Sequence, residues 1–304
     1  MYLTNPPLHP ALSHPQSTPI KVDKLQLYLK GYPARSQQYL LNGFHFGFSI
    51  DYVGPRQNFS SKNLLSAITN PKAVDNKLDK EIQLGRIVGP FDTRPFSVFH
   101  ISPLRLIPKK LPGEFRLIHH LSFQEGHFIN SHIPKIASSV HYANIDDAIR
   151  LVRRTGRGCA LVKTDIKHAL RLIAVSPSDY NLLGICWHDK FYVDRNLAMG
   201  LSSSCKIFEC FSSALEWIAH FKLNIAGILH LLDDFLIVSK SLSSCATNST
   251  SSLVNVAKES REICTRNQSG HLQANFRVVA RRNIYHGENK PSRRSRRNTE
   301  GKSY

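Results

Sequence analysis

Residues 229–239, Leu-His-Leu-Leu-Asp-Asp-Phe-Leu-Ile-Val-Ser, decide how this chain is interpreted. The aliphatic stretches at 225–232 and 235–238 predict two buried strands, with Asp233 and Asp234 at or near the turn between them. Adjacent carboxylates repel each other and resist burial unless a cation or hydrogen-bond donors compensate their charge. An exposed turn with two solvated aspartates is an equal alternative at this point, because Asp is a common turn residue.

The charge balance of the whole chain points to a polyanionic partner. Its 304 residues include 40 Lys and Arg against 22 Asp and Glu, a formal net charge of +18. Such an excess indicates nucleic acid first and an anionic membrane surface second, whereas a charge that only maintains solubility is the alternative. The six cysteines form no CxxC pair, which argues for reduced thiols rather than a disulfide framework or a zinc site.

No targeting or membrane signal is visible in the sequence. The N-terminus lacks a basic-then-apolar signal pattern, and no apolar run reaches the length of a membrane span. The sequence therefore predicts an intracellular protein of the cytoplasm or nucleus, neither secreted nor bound to a membrane.

The pattern along the chain changes at three places. Residues 1–20, rich in Pro, His and Ser, predict a disordered leader, and residues 21–95 predict a mainly helical N-terminal region. Residues 96–240 alternate short strands with helices. Residues 241–304 lose this periodicity and become basic, which predicts a disordered tail.

A basic hairpin is predicted at residues 97–119. Its turn is Pro112-Gly113, with Lys109 and Lys110 at the end of the first strand and Arg116 early in the second. Clustered cations of this kind suit a triphosphate or a nucleic-acid backbone. A solvated basic hairpin without a ligand is the favoured interpretation when the segment is taken alone.

A third acid follows a predicted helix. Residues 144–156 predict a helix capped by Asn144 and Gly156. Its expected buried face consists of Ile145, Ala148, Ile149 and Val152. The apolar strand that follows ends at Asp165, and open α/β sheets commonly carry functional side chains at such strand ends. A simple helix N-cap is the alternative role for this acid.

A glycine- and serine-rich segment precedes a second helix. Residues 182–193 predict a hairpin that turns at 188–190, and Gly200 with Ser202, Ser203 and Ser204 then leads into a helix over 206–221. The expected core face of that helix is Ile207, Phe211, Leu215 and Ile218. The segment suits phosphate or a sugar edge, and ordinary serine capping is at least as good an interpretation.

Four of these segments, in this order, resemble the fingers and palm of a reverse transcriptase of the kind that retrotransposons encode, of the DIRS type. They are Pro-Lys-Lys with Phe-Arg-Leu-Ile-His in 108–119, Lys-Thr-Asp-Ile-Lys-His-Ala-Leu-Arg in 163–171, Leu-Ala-Met-Gly-Leu-Ser-Ser-Ser-Cys-Lys-Ile-Phe in 197–208, and Leu-Leu-Asp-Asp-Phe in 231–235. The resemblance covers roughly residues 70–240. It implies an α+β right-hand polymerase fold with an antiparallel palm sheet backed by helices, and with a thumb that is missing or degenerate.

The resemblance also implies roles for individual residues. Asp165 and Asp233 would bind two Mg²⁺ ions, with Mn²⁺ as an alternative. Asp234 would be a more peripheral metal-binding partner, and the Ile166 carbonyl would also contact a metal. Because neighbouring strand residues point to opposite faces, only one acid of the doublet is expected to aim at Asp165. The positions implied to bind the incoming dNTP are Lys109, Lys110, Arg116, Ile166, Leu170 and Gly200. Those implied to bind the RNA or DNA primer–template are Ser202, Ser203, Ser204 and Lys206.

Some positions depart from the family pattern. Leu170 stands where an aromatic residue usually excludes the ribose 2′-hydroxyl, so the sequence does not predict selectivity between deoxy- and ribonucleotides. Leu231 replaces the usual Tyr, and Cys205 replaces the usual Pro. The sequence after about residue 245 resembles a frameshifted continuation, so a truncated or decayed copy is expected.

Three functions follow from these observations. The first is an RNA-directed DNA polymerase that transfers nucleotides from dNTPs to a primer 3′-hydroxyl by two-metal chemistry. The second is a catalytically inactive nucleic-acid-binding remnant of the same fold. The third, a two-metal nuclease or transposase, fits less well, because adjacent acids following a Gly/Ser segment suit a polymerase palm better.

Overall fold

The computed structural model describes residues 9–123, 125–126 and 128–240. The helices are α1 (Val22–Tyr28), α2 (Ala34–Phe46), α3 (Leu65–Ile68), α4 (Pro71–Gln83), α5 (Lys135–Ser138), α6 (Ile145–Thr155) and α7 (Ser204–Phe221). The strands are β1 (Phe59–Ser60), β2 (Ile87–Phe91), β3 (His100–Ile101), β4 (Leu104–Pro108), β5 (Phe115–His119), β6 (Ala160–Asp165), β7 (Gly184–Trp187), β8 (Lys190–Asp194), β9 (Ile228–Leu231) and β10 (Asp234–Ser239). The predicted basic tail, 241–304, lies outside the described residues.

The strands form three separate sheets in a mixed α+β architecture. The largest has the order β1-β3-β7-β8-β2, the second is the antiparallel sheet β6-β10-β9, and the third is the hairpin β4-β5. In the largest sheet β1 and β2 come from the region before residue 96, and β3, β7 and β8 from the region after it. Strands from both sides of residue 95 thus share one sheet, so the N-terminal region packs directly against the region that follows it.

The expectation of a disordered leader is wrong for residues 9–20. Leu12 and Ile20 are only 1% and 5% exposed and belong to the main hydrophobic core. Arg195 donates from Nη1 to the Ala11 carbonyl at 2.7 Å, and the Tyr180 hydroxyl donates to the His14 carbonyl at 3.3 Å. A few apolar side chains and backbone carbonyls in this proline-rich segment thus suffice to dock it against the core.

Helix α7 runs through the centre of the molecule. Its predicted core positions Ile207, Phe211 and Ile218 are buried, and Leu215 is partly buried against the same core. Phe208, which is fully buried, extends this face. The helix packs on β9 and α2, so it connects the small antiparallel sheet to the N-terminal helices.

The capping of α6 is confirmed, but its predicted buried face is not. The Asn144 side chain accepts from the backbone N–H groups of Asp146 and Asp147 at 2.8 and 3.1 Å, which completes a capping box. No residue of α6 is buried, and Ile145 is 72% exposed. The helix contacts β10, and none of the other described elements covers its apolar side completely.

The hairpin predicted over residues 182–193 is present. The hairpin β7–β8 turns at His188 and Asp189, both of which have positive φ, as a tight two-residue turn requires. Cys159, Cys186, Cys205 and Cys210 are free thiols. No helix in the part of the chain that the structure describes is long and apolar enough to cross a bilayer.

Candidate active site

The acidic doublet lies at the tip of the β9–β10 hairpin. Leu232 and Asp233 form the turn, with Leu232 at φ +57°, and Asp234 is the first residue of β10. Leu231 pairs with Asp234 across the hairpin, and Ile237, deeper in β10, is fully buried. The predicted arrangement of two strands with the acids at the turn is therefore confirmed, and its strands are held by the core beneath them.

Strand β6 brings Asp165 to the same tip. In the antiparallel pairing of β6 with β10, Asp165 lies directly opposite Asp234. The backbone N–H of Ile166 donates to the carbonyl of Asp233 at 2.9 Å, which continues the pairing one residue past the end of β6. All three acids thus meet at one end of the three-stranded sheet, although Asp165 is far from the doublet in sequence.

The register decides which acid of the doublet shares a face with Asp165. Residues directly opposite each other in an antiparallel pair project to the same face, so Asp234 is the cross-strand partner of Asp165. Asp233 lies in the turn, where strand alternation does not apply. The resemblance implied Asp233 as the principal partner of Asp165, whereas the register places Asp234 opposite Asp165.

A lysine is the third charged group on that face. Lys163, two residues before Asp165 in β6, donates from Nζ to Oδ2 of Asp234 at 2.9 Å. Both side chains are substantially exposed, so this ion pair contributes little stability and can open at small cost. Lys163 therefore offsets part of the negative charge of the acidic tip.

The electrostatics of the tip favour a cation. Partial burial raises the pKa of the Asp233 carboxyl above its ordinary value, and the neighbouring charges of Asp234 and Asp165 raise it further. Carboxylate oxygens are the hard donors that Mg²⁺ prefers, so the donor chemistry fits this ion. No group of three or more acidic, histidine or cysteine side chains within the described ranges is already gathered closely enough to hold a metal.

A buried network of ion pairs, which the sequence analysis did not predict, holds the segment after Asp165 in place. Ile166 packs against two core clusters, and Leu170 lies in a short 3₁₀ helix, Ala169–Leu172. Arg171, in the same turn, is 8% exposed and forms ion pairs with Asp194 and Glu81, each at 2.9 Å. These partners are distant in sequence, so no local pattern could have identified them.

Gly200 joins the Gly/Ser segment to the basic hairpin. It has φ +119°, and a Cβ there would lie 2.3 Å from the backbone carbonyl oxygen of His119, at the end of β5. Asn130, which sequence reasoning missed, donates from Nδ2 to the Gly200 carbonyl at 2.7 Å and accepts from the Ser202 N–H at 2.9 Å. The glycine is thus needed for a close backbone approach.

Two of the predicted template contacts are not available on the surface. Ser203 is fully buried and donates to the Ile50 carbonyl at 2.9 Å, and Ser204, 1% exposed, donates to the Ala198 carbonyl at 3.0 Å. Their hydroxyls fix the segment internally, so we assign them no contact with a template. The Ser202 hydroxyl is also buried, so it is not available to a template either, and the contact predicted for Lys206 stays a prediction.

The basic hairpin has the predicted form. Pro112 and Gly113 make its turn, and Arg116 pairs with Ile107 on its exposed face. Lys109 forms an exposed ion pair with Glu114 at 2.9 Å, while Lys110 is exposed at the turn. The end of β5 lies against Gly200, and α7 starts soon after Gly200. Since α7 also packs on β9, this helix links the basic hairpin to the sheet that carries the acids.

Comparison with known proteins gives a result at the level of the fold. No family model matches the sequence, and no curated protein matches it. A foamy viral protease–reverse transcriptase in complex with double-stranded DNA is similar in structure, with a TM-score of 0.53 and 15% identity over 84% of this chain and 44% of that chain. The fold is reverse-transcriptase-like.

A second solved structure supports the same conclusion. The prototype foamy virus protease–reverse transcriptase, in a CSH mutant form, has a TM-score of 0.51 and 14% identity over 83% of this chain and 32% of that chain. The chain thus spans less than half the length of either protein. The predicted α+β class is confirmed, and the resemblance to reverse transcriptases is confirmed at the level of the fold. An origin in a DIRS-type retrotransposon stays a prediction.

Proposed function

We propose that this chain is the fingers and palm of an RNA-directed DNA polymerase from a retrotransposon, with β6, β9 and β10 as the palm sheet. The observation that carries the proposal is the meeting of Asp165, Asp233 and Asp234 at one end of that sheet. A reverse-transcriptase-like fold and an acidic strand end are independent features, one global and one local. Their coincidence favours nucleotidyl transfer over a structural role for the acids.

Asp165, Asp233 and Asp234 would hold two Mg²⁺ ions, or Mn²⁺, with help from the Ile166 carbonyl. When bound, such a pair of ions activates the primer 3′-hydroxyl and stabilises the charge that develops on the leaving pyrophosphate. The chain's own contribution is to hold the carboxylates in register through the β6–β10 pairing. Lys163 would have to release Asp234, which costs little for an exposed ion pair.

The basic hairpin would bind the triphosphate of the incoming dNTP. Arg116 and Lys110 have exposed side chains, and Lys109 is held only by an exposed ion pair with Glu114. Fixed cations beside a phosphoryl group lower the barrier to its transfer, because negative charge develops there. Leu170 and Gly200 would lie near the nucleotide, and the small Gly200 would leave room for it.

A primer–template of RNA and DNA would be the macromolecular partner. The net charge of +18 supports binding along a phosphate backbone, and a similar protein was solved in complex with double-stranded DNA. Lys206 would contact the template or primer. The cytoplasm or nucleus is the compartment in which this substrate would be found.

An inactive nucleic-acid-binding remnant of the same fold is the second candidate. The observation that favours it is the ion pair of Lys163 with Asp234, together with the absence of a gathered set of three metal-binding side chains among the residues that the structure describes. A remnant would keep the basic surface and lose the chemistry.

Primer extension distinguishes the two candidates. The full chain is given a primed RNA template, dNTPs and Mg²⁺, and is compared with Asp233→Asn and Asp165→Asn. We expect each variant to lose about 1000-fold or more of the activity, because metal coordination of this kind is worth several kcal/mol. Asp146→Asn, which removes the same charge from the exposed start of α6, is the matched control and should retain activity.

Background incorporation by all four proteins would refute the polymerase proposal. Binding of the primer–template with a steep dependence on salt would then support the remnant. Equal activity of the wild type and both acid variants would refute the assignment of the metal ligands.

A further inference from the structure

A histidine on β9 is held between two glutamates of α7. His230 Nε2 lies 2.8 Å from Oε1 of Glu209, and His230 Nδ1 is hydrogen-bonded to Oε2 of Glu216. The glutamates are seven residues apart, two turns along the same face of the helix. The side chains of His230 and Glu209 are only 11% and 13% exposed, whereas Glu216 is 31% exposed.

The two contacts fit a doubly protonated ring that donates to both carboxylates. A neutral imidazole has one N–H donor and one acceptor nitrogen, so it can donate to only one of two carboxylates. Burial alone would lower the pKa of His230, but the hydrogen bonds and charges of Glu216 and Glu209 outweigh it and raise the pKa above its ordinary value. The second oxygen of Glu209, Oε2, is buried without a hydrogen-bond partner, so this carboxylate depends on the histidine for compensation.

The His230 ring also contacts β10, the strand that begins with Asp234. His230 lies directly opposite Phe235 in the β9–β10 pairing, and the two rings stack with centroids 5.6 Å apart. Phe235 follows Asp234 in the chain, and His230 is three residues before Asp233. A shift of the histidine relative to α7 would therefore move both sides of the hairpin tip.

We propose that the His230 imidazolium is a positioning residue that fixes the β9–β10 hairpin, and with it the acidic doublet, against α7 through Glu209 and Glu216. This inference rests on the proposed function only for its catalytic consequence. The ionic bridge, meaning the contacts of His230 with Glu209 and Glu216, is a property of the folded chain. It can therefore be tested without measuring catalytic turnover.

Other charged groups around the bridge act on the glutamates rather than on the ring. Tyr142 lies near Glu209 and has its own pKa raised to about 12, first by burial and then by Cys205 and Glu209. On the other side, a cavity of about 330 Å³ between α6, α7 and β9 is lined by four charged or titratable side chains besides Glu216. They are Asp147, Arg150, Arg154 and His220.

The direction of the pH dependence follows from the sign of the shift. A histidine whose pKa is raised by folding contributes stability below its unfolded pKa, and that contribution is lost as the pH rises through the folded pKa. Above that point one ring nitrogen presents a lone pair to a carboxylate. We therefore expect the hairpin to be held firmly below the ordinary histidine pKa and to loosen as the pH rises through the raised pKa of folded His230.

Hydrogen exchange of the full chain tests the proposal. Amide protection in residues 228–237 is measured from pH 6 to pH 9.5 and corrected for intrinsic exchange, in the wild type and in His230→Gln. The His230 ring is titrated by NMR, with its resonance assigned from its loss in that variant. His220→Gln is the matched control, because His220 also lies on α7 but hydrogen-bonds to the Ile225 carbonyl rather than to a glutamate.

We expect wild-type protection to fall at least about tenfold across the ring titration, as for the loss of a charge-assisted hydrogen bond. His230→Gln should show low protection that does not follow this titration, and His220→Gln should behave as the wild type. Glu209→Gln should lower the pH midpoint of the His230 ring titration. If His230→Gln does not fold, this variant provides the test of the proposal.

A ring midpoint at or below the ordinary histidine value, or wild-type protection in His230→Gln, would overturn the proposal. Failure of primer extension would leave these results intact, so the failure of the proposed function and the failure of the bridge are distinguishable.

Discussion

Replacing Gly200 by alanine should separate the basic hairpin from the Gly/Ser segment. The new Cβ would lie 2.3 Å from the carbonyl oxygen of His119 and 3.3 Å from a side-chain carbon of Ile118. His119 cannot easily move away, because its ring is buried and bonds to the Gly184 carbonyl at 3.1 Å. The contact must therefore be relieved by displacing backbone on both sides.

The expected loss has two parts. Alanine at φ +119° is strained by about 1–2 kcal/mol, and relief of the steric overlap adds about 1–3 kcal/mol. Gly156→Ala is the matched control, because Gly156 has φ +100° and nothing within 4 Å of the added Cβ. The control should show the conformational strain alone, so the difference between the variants measures the contact with His119.

Urea denaturation of the full chain measures both variants. We expect the midpoint to fall further for Gly200→Ala than for Gly156→Ala, by the equivalent of about 2 kcal/mol, with an unchanged dependence on denaturant. Equal losses in the two variants would refute the reasoning, because they would show that His119 and Gly200 do not approach as closely as described.

Two further predictions concern buried ionisable groups. Arg171→Met should destabilise the chain by about 3–5 kcal/mol in urea denaturation, because it removes the cation paired with the buried carboxylate of Asp194 and leaves Glu81 with Arg86 alone. Arg150→Met, on the exposed side of α6, is the control, and a loss as small as the control's would contradict the argument. Burial lowers the pKa of His119 to about 3, so the unfolded chain binds a proton first and stability is lost as the pH falls from about 6.5 towards 3. At pH 5 the protonation of His119 in the unfolded chain should lower the free energy of unfolding by about 2 kcal/mol relative to pH 7. His119→Gln should lack that part of the loss. Identical acid sensitivity of the wild type and this variant would contradict the assignment.

Sequence reasoning was successful where a structure depends on neighbours in the chain. The hairpin at Pro112-Gly113 and the capping of α6 by Asn144 follow from turn and capping chemistry that acts over a few residues. The same holds for the apolar stripe of α7. The fold resemblance rested on four such segments in order, and the structural comparison agrees with it at that level.

What the tertiary structure decided are the contacts between distant segments. Strand register, which no local pattern contains, places Asp234 rather than Asp233 opposite Asp165. Burial likewise depends on what packs on a face, so Ser203 turned inward and Ile145 remained exposed although both follow ordinary local patterns. The sequence by itself determined which acids and cations the chain offers, and only the three-dimensional packing decided which of them meet, because pairing across long loops is governed by the whole core.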